Sequence, residues 1–165
     1  TPLRTAQAIT ALAAKTFTYS ALTTTTSGTA FDFTGLPAGI QEVVVAINGV
    51  QFSASDTLLI QLGTSGGFVT TGYVSRADAT TSGSASSFTN GLASPTASAA
   101  GTTVIPIVRV GTNRWFSNHV LARGASVAMG AGAGRVELGA ELTQLRVTRN
   151  GTATFSAGSI QVGYR

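Results

Sequence analysis

The chain has 165 residues, 43% of them hydrophobic and only 10% charged, with 20 glycines and no cysteine. That is the length of one domain, enough to bury roughly 70% of the surface its unfolded chain exposes. The composition excludes a disordered tail, a coiled coil and a disulfide scaffold. The net charge of +4 comes from nine arginines, Lys15 and six acids. Seven of those arginines are strung out between Arg109 and Arg165 rather than clustered. Nucleic acid requires a clustered basic surface with rings that stack on bases, so no nucleic-acid partner is expected. No window approaches the ~18 unbroken apolar residues of a membrane span, so no membrane insertion is expected either.

The first twenty residues begin without Met and are rich in Ala and Thr. Residues 2–14 support a helix on composition alone. Residues 1–20 therefore read as a short helical or extended segment connecting to upstream chain, and residues 21–165 as the folded domain. From there strand-like runs follow one another at 16–21 and 30–33, with a turn at Leu36-Pro37-Ala38-Gly39, where Pro sets φ and Gly permits reversal. The run Val43 to Ile47 meets Asn48-Gly49, the strongest short hairpin signal, and continues as Val50-Gln51-Phe52. Strand composition resumes at 57–62 and 68–75, separated by the Gly-rich run 63–67. Residues 80–101 are dominated by Thr, Ser, Ala and Gly, and are expected to be an exposed excursion between strands. Further runs lie at 102–110, 114–122, 125–129 and 136–138, with the Gly-Ala-Gly-Ala-Gly run at 130–134 read as a tight turn. Residues 142–149 alternate, turn at Asn150-Gly151, and lead to 152–155 and a last run at 159–164. Many short strands with no helical pattern between them predict an all-β protein, an antiparallel sandwich or barrel.

The chemical signatures are mostly negative. Neither glycine run carries the Lys-Ser/Thr of a phosphate-binding loop, and tight turns account for both. With no cysteine and a single histidine, His119, metal ligands are scarce, and Asp32, Asp56 and Asp78 do not form a calcium-loop spacing. No cofactor is expected. His119 lies within a strand with no nucleophile elbow near it, so a structural role outweighs a catalytic triad. The six acids favour no glycosidase-like pair. Trp115 is expected in the core. Ligand contacts are expected from polar loops at 53–56, 76–84 and 112–114, where Arg, Asp and Asn make paired hydrogen bonds to hydroxyls. The candidates are Ser55, Asp56, Arg76, Asp78, Asn113 and Arg114.

Several stretches in order carry a family likeness. They are Phe31-Asp32-Phe33-Thr34-Gly35-Leu36-Pro37, the Val-rich run ending in Asn48-Gly49-Val50, and Leu59-Ile60-Gln61-Leu62-Gly63-Thr64-Ser65-Gly66-Gly67 with Thr70-Thr71-Gly72-Tyr73. Asn113-Arg114-Trp115, Val120-Leu121 and the closing run from Asn150 to Ile160 complete the series. Together they resemble the carboxyl-terminal, distal tip domain of tailed-bacteriophage tail fibre proteins, over residues 30–164 apart from 80–101. The resemblance implies an antiparallel, jelly-roll-like β-sandwich at the tip of a homotrimeric fibre, on the virion and extracellular after release from the host cytoplasm where it is made. Its implied partners are two further copies, upstream fibre or tail proteins, and a bacterial surface glycan or outer-surface protein. Non-catalytic attachment to the host is the expected function; a structural virion protein (head fibre or decoration protein) without a receptor, and a glycan-degrading tail enzyme, are the alternatives. The low charge fits an oligomer that buries an apolar face, since obligate interfaces are depleted in charge.

Overall fold

The computed structural model of the chain describes residues 16–79, 86–94, 101–123 and 129–165, with side chains for all of these except 78, 79, 86, 87 and 123. The expected segment at 2–14 lies outside them. The described residues form fourteen strands and no helix: β1 (Thr18–Tyr19), β2 (Thr23–Thr24), β3 (Phe31–Thr34), β4 (Glu42–Phe52), β5 (Leu58–Thr64), β6 (Gly67–Phe68) and β7 (Val74–Ala79) in the first half. The second half adds β8 (Ser86–Phe88), β9 (Leu92–Ser94), β10 (Gly101–Val110), β11 (Arg114–Arg123), β12 (Met129–Glu137), β13 (Gln144–Arg149) and β14 (Phe155–Tyr164). All pairings are antiparallel. One sheet has nine strands in the order β1-β14-β4-β10-β11-β12-β7-β8, with β2 also on β14. The other has five, β3-β13-β5-β6, with β9 also on β5. The result is an all-β sandwich, one of the two architectures the strand pattern allows. Thr18 and Tyr19, placed by the sequence in the connecting segment, belong to the edge of the larger sheet.

The core lies between the sheets. Val43, Val45 and Ile47 of β4, Ile105 and Ile107 of β10, Trp115 of β11 and Ile160 and Val162 of β14 meet Leu58, Ile60, Leu62, Leu145 and Val147 of the smaller sheet. Trp115 is buried, as expected. The chain crosses between sheets after β6. There the Tyr73 hydroxyl accepts the Leu62 N–H at 2.8 Å and donates to the Val69 carbonyl at 3.0 Å. Burial pushes the Tyr73 phenol up to about 12, so it stays a neutral strut at any ordinary pH. This crossing splits the single run predicted at 68–75 into β6 and β7.

Two Asn-Gly pairs do not make the hairpins they suggest. At Asn48-Gly49 the chain continues as one strand, and Gly49 (φ 62°) forms a bulge. Gly49 and Val50 together face the single residue Gly158 of β14, because Asn48 pairs with Ser159 and Gln51 with Ala157. The extra residue resets the alternation, so Val43, Val45 and Ile47 point inward before it and Val50 and Phe52 after it. Asn150-Gly151 lies between β13 of the smaller sheet and β14 of the larger, so it carries the chain across the sandwich rather than back along it. Here the Asn90 side chain, from the third Asn-Gly pair, donates to Asn150 Oδ1 at 3.1 Å.

Two low-complexity stretches are also corrected. Within 80–101, β8 and β9 are part of the sheets, and Phe88, Leu92, Ala93 and Ser94 are buried rather than exposed. Phe88 and Ala93 join Leu59 and Ala77 in a second, smaller apolar cluster. The Gly-Ala-Gly-Ala-Gly run is the middle of β12, whereas the run at 63–67 does turn, from β5 into β6. Gly132 faces inward, and a Cβ there would stand 2.4 Å from the Ala93 carbonyl and 2.5 Å from His119 Cε1. Glycine is needed because β9 passes directly over it. Gly132→Ala is therefore expected to destabilise the domain by about 2 kcal/mol in urea unfolding, against less than about 0.5 kcal/mol for Gly139→Ala, whose Cβ would meet nothing within 4 Å.

Candidate functional site

Because β10, β11, β12 and β7 alternate, their second set of side chains lies on the outer face of the larger sheet. Register places them in rows. Val108, Phe116, Arg135 and Val74 stand side by side across the four strands, and Pro106, Asn118, Ala133 and Arg76 form the next row. Phe116 is 39% exposed and Val74 60%. Ala133 is small, so the face dips between Phe116 on one side and Arg76 and Arg135 on the other. The dip is an open hollow of about 590 Å³, lined also by Pro106, Val108 and Asn118. Beyond it, Val104, Val110, Val120 and Met129 are exposed on the same face, and Tyr19 at the far edge. Such a large exposed apolar area is uncommon on a protein that works as a single chain.

The six residues expected to contact a ligand fall in three places. Ser55 is exposed in the turn between β4 and β5. Asp56, beside it, is turned inward: its Oδ1 accepts N–H groups of Thr57 and Gly151, both at 2.7 Å, and its Oδ2 that of Ala153 at 3.1 Å. This carboxylate holds the Asn150-Gly151 crossing and is not available to a ligand. Asn113, in the β10–β11 connection, and Arg114, the first residue of β11, lie at the opposite end of the larger sheet from Ser55. Asn113 Oδ1 accepts from Arg109, and Arg114 pairs with Glu137 at 3.0 Å. Only Arg76 lines the hollow. Asp78 occupies the next outward position of β7, opposite Ala131, and its side chain lies outside the described set. Phe116, Asn118 and Arg135 complete the hollow and were missed. The signal for Arg135 was the alternation Met129, Ala131, Ala133, Arg135, Glu137, hidden by reading the glycines between them as a turn; Phe116 and Asn118 alternate with Trp115 and Ser117 within the expected run at 114–122.

The charged groups leave few candidates for chemistry. Asp32 is held by Arg146 at 2.6 Å, Glu42 by Arg165, Glu137 by Arg114, and Glu141 by Arg109 at 2.8 Å. Hydrogen bonding from Arg109 holds the Glu141 carboxyl below its usual range. Hydrogen bonding to Asp32 raises Arg146, whose guanidinium also covers the Phe68 ring at 4.2 Å. Among the described residues, no three His, Asp or Glu side chains gather as a metal site would require. Arg76 and Arg135 make no ion pair among the described residues. On the inner face of β11, Trp115 Nε1, Ser117 Oγ and both nitrogens of His119 are buried without a hydrogen-bond partner. Burial lowers His119 to about 4.

No protein-family model matches this chain, and no curated protein matches it.

Two stability measurements test these assignments. Asp56→Ala leaves three backbone N–H groups without their acceptor, and should cost about 3 kcal/mol or more in urea unfolding. His119 titrates near 6.5 when unfolded and at about 4 when folded, so the unfolded chain takes up the proton first as pH falls. Stability should therefore decline from about pH 6.5 to about pH 4 by about 3 kcal/mol and gain no further loss from this group below that. In His119→Leu the part of the slope due to this residue should vanish, as read by denaturant midpoints across the window.

Proposed function

We propose that this chain is the distal tip domain of a tailed-bacteriophage tail fibre, a homotrimer that attaches to the bacterial surface and catalyses no reaction there. The observation that carries the reading is the open outer face of the larger sheet. Its half over β1, β14, β4 and β10 presents Tyr19, Val44, Ala46 and Val104, and among the described residues its charged feature is the mutually neutralised pair Glu42 and Arg165. An apolar, charge-poor area of this kind suits permanent association between copies. The sequence likeness to fibre tips supplies the threefold state and the setting on the virion. The absence of catalysis is supported by the acids, since Asp32, Asp56, Glu42, Glu137 and Glu141 are each engaged by an arginine or by backbone N–H groups. In such a tip three weak sites act together, and several fibres on one particle multiply them, so firm attachment needs no deep pocket.

Light scattering on the purified chain should give three times its 16.6 kDa mass, and Val104→Asp should reduce it to single chains. Fluorescently labelled protein should adsorb saturably to host cells and release no new reducing ends from their polysaccharide. A single-chain mass at micromolar concentration overturns the trimer. A trimer that adsorbs to no cells, from a virion that does attach, points to a structural virion protein, and new reducing ends point to an enzyme.

A further inference from the structure

The other half of the open face carries charge that the described chain does not neutralise. Arg76 pairs with Ala133 and Arg135 with Val74, so the two arginines are diagonal neighbours on one sheet face, their backbones about 7–8 Å apart. Two like charges at that separation repel each other, and neither has an ion pair among the described residues. A second copy of the chain is a poor occupant for this half. Its acids outside position 78 are already committed, and burying two guanidinium groups without carboxylates is costly. An anion offsets the repulsion instead. The planar guanidinium fork matches a carboxylate through two parallel hydrogen bonds. Opposite the arginines, Phe116 offers part of its ring at 39% exposure, and Asn118 beside it offers an amide donor and acceptor. An apolar ring, an amide and a cationic pair around about 590 Å³ suit a molecule with a C–H face, hydroxyls and a negative charge.

We propose that the hollow bounded by Phe116, Asn118, Arg76 and Arg135 binds a carboxylate-bearing saccharide, its acid group between the two arginines and one sugar face against Phe116. The assignment rests on the attachment reading only for where such a sugar is met, as part of an acidic bacterial surface glycan.

Calorimetric titration of the full chain with digalacturonate and with the neutral disaccharide maltose tests the site. Digalacturonate should bind at low ionic strength and weaken as salt rises, while maltose binds at least about tenfold more weakly. Arg76→Gln and Arg135→Gln should each weaken digalacturonate at least about tenfold with no change in oligomer mass, and Phe116→Ala should weaken it also. Arg146→Gln, on β13 of the smaller sheet, should leave it unchanged. Equal binding of the two disaccharides, no binding of digalacturonate at millimolar concentration, or indifference to both arginine changes overturns the proposal. Cell adsorption separates it from the broader reading. Digalacturonate binding without adsorption defeats attachment and leaves the site standing; adsorption without digalacturonate binding defeats the site alone.

Discussion

Along Glu42–Phe52 the inward side chains change phase once, at the Gly49 bulge, and the larger sheet is built on either side of that strand. β14 pairs with one edge of β4 and β10 with the other, and both pairings shift register at the same place. Without the extra residue, Val50 and Phe52 would be delivered to the outer face, because a one-residue slip exchanges the faces of a strand. The bulge is held on one side by the Gly49 N–H, which donates to Thr102 Oγ1 at 3.2 Å. From β10 the sheet continues through β11 and β12 to β7, so the position of every outward row depends on the phase set at β4.

That phase explains why the domain has two unlike surfaces. β10 is apolar on both faces: Ile105 and Ile107 are buried in the core, while Val104, Val108 and Val110 are exposed. A strand of that kind belongs to a sheet covered on both sides. The charged residues are arranged around this surface more than on it. Arg109, Arg114, Arg146 and Arg165 each stand beside an acid. On the outer face of the larger sheet the described arginines with no acid beside them are Arg76 and Arg135, and that locality turns charge into a feature with a definite chemistry.

Much of the strand pattern was legible because alternation and turn residues act over a few neighbours. The runs at 102–110 and 114–122 correspond closely to β10 and β11, and the turn at Ala38-Gly39 is where Pro37 and Gly39 place it. The misread segments have low-complexity composition or a turn dipeptide whose use depends on distant chain. Gly130, Gly132 and Gly134 carry no apolar period, and their strand exists because β11 and β7 pair with it on both edges. Phe88 and Leu92 sit in a stretch of small polar residues, yet each finds an apolar partner from a different strand. The candidate site was legible at one residue, Arg76. Asp56 looked like a loop carboxylate because its three N–H donors come from Thr57 next door and from the loop at 151–153, nearly a hundred residues later.

By itself the sequence determined that the chain forms many short strands, has no catalytic or metal-binding signature of recognisable spacing, and carries most of its polarity on Ser, Thr and Asn. Those are consequences of side-chain chemistry and local backbone preference, which need no knowledge of the partner strand. Only the tertiary structure decided whether an Asn-Gly pair turns, bulges or crosses between sheets, because that depends on which strand lies opposite. Only it decided which arginines are neutralised, since the acid of each pair is distant in sequence: Arg146 is 114 residues from Asp32, and Arg165 is 123 from Glu42. Among the described residues, long-range pairing thus neutralises four arginines and leaves Arg76 and Arg135 as exposed guanidinium groups on one apolar face.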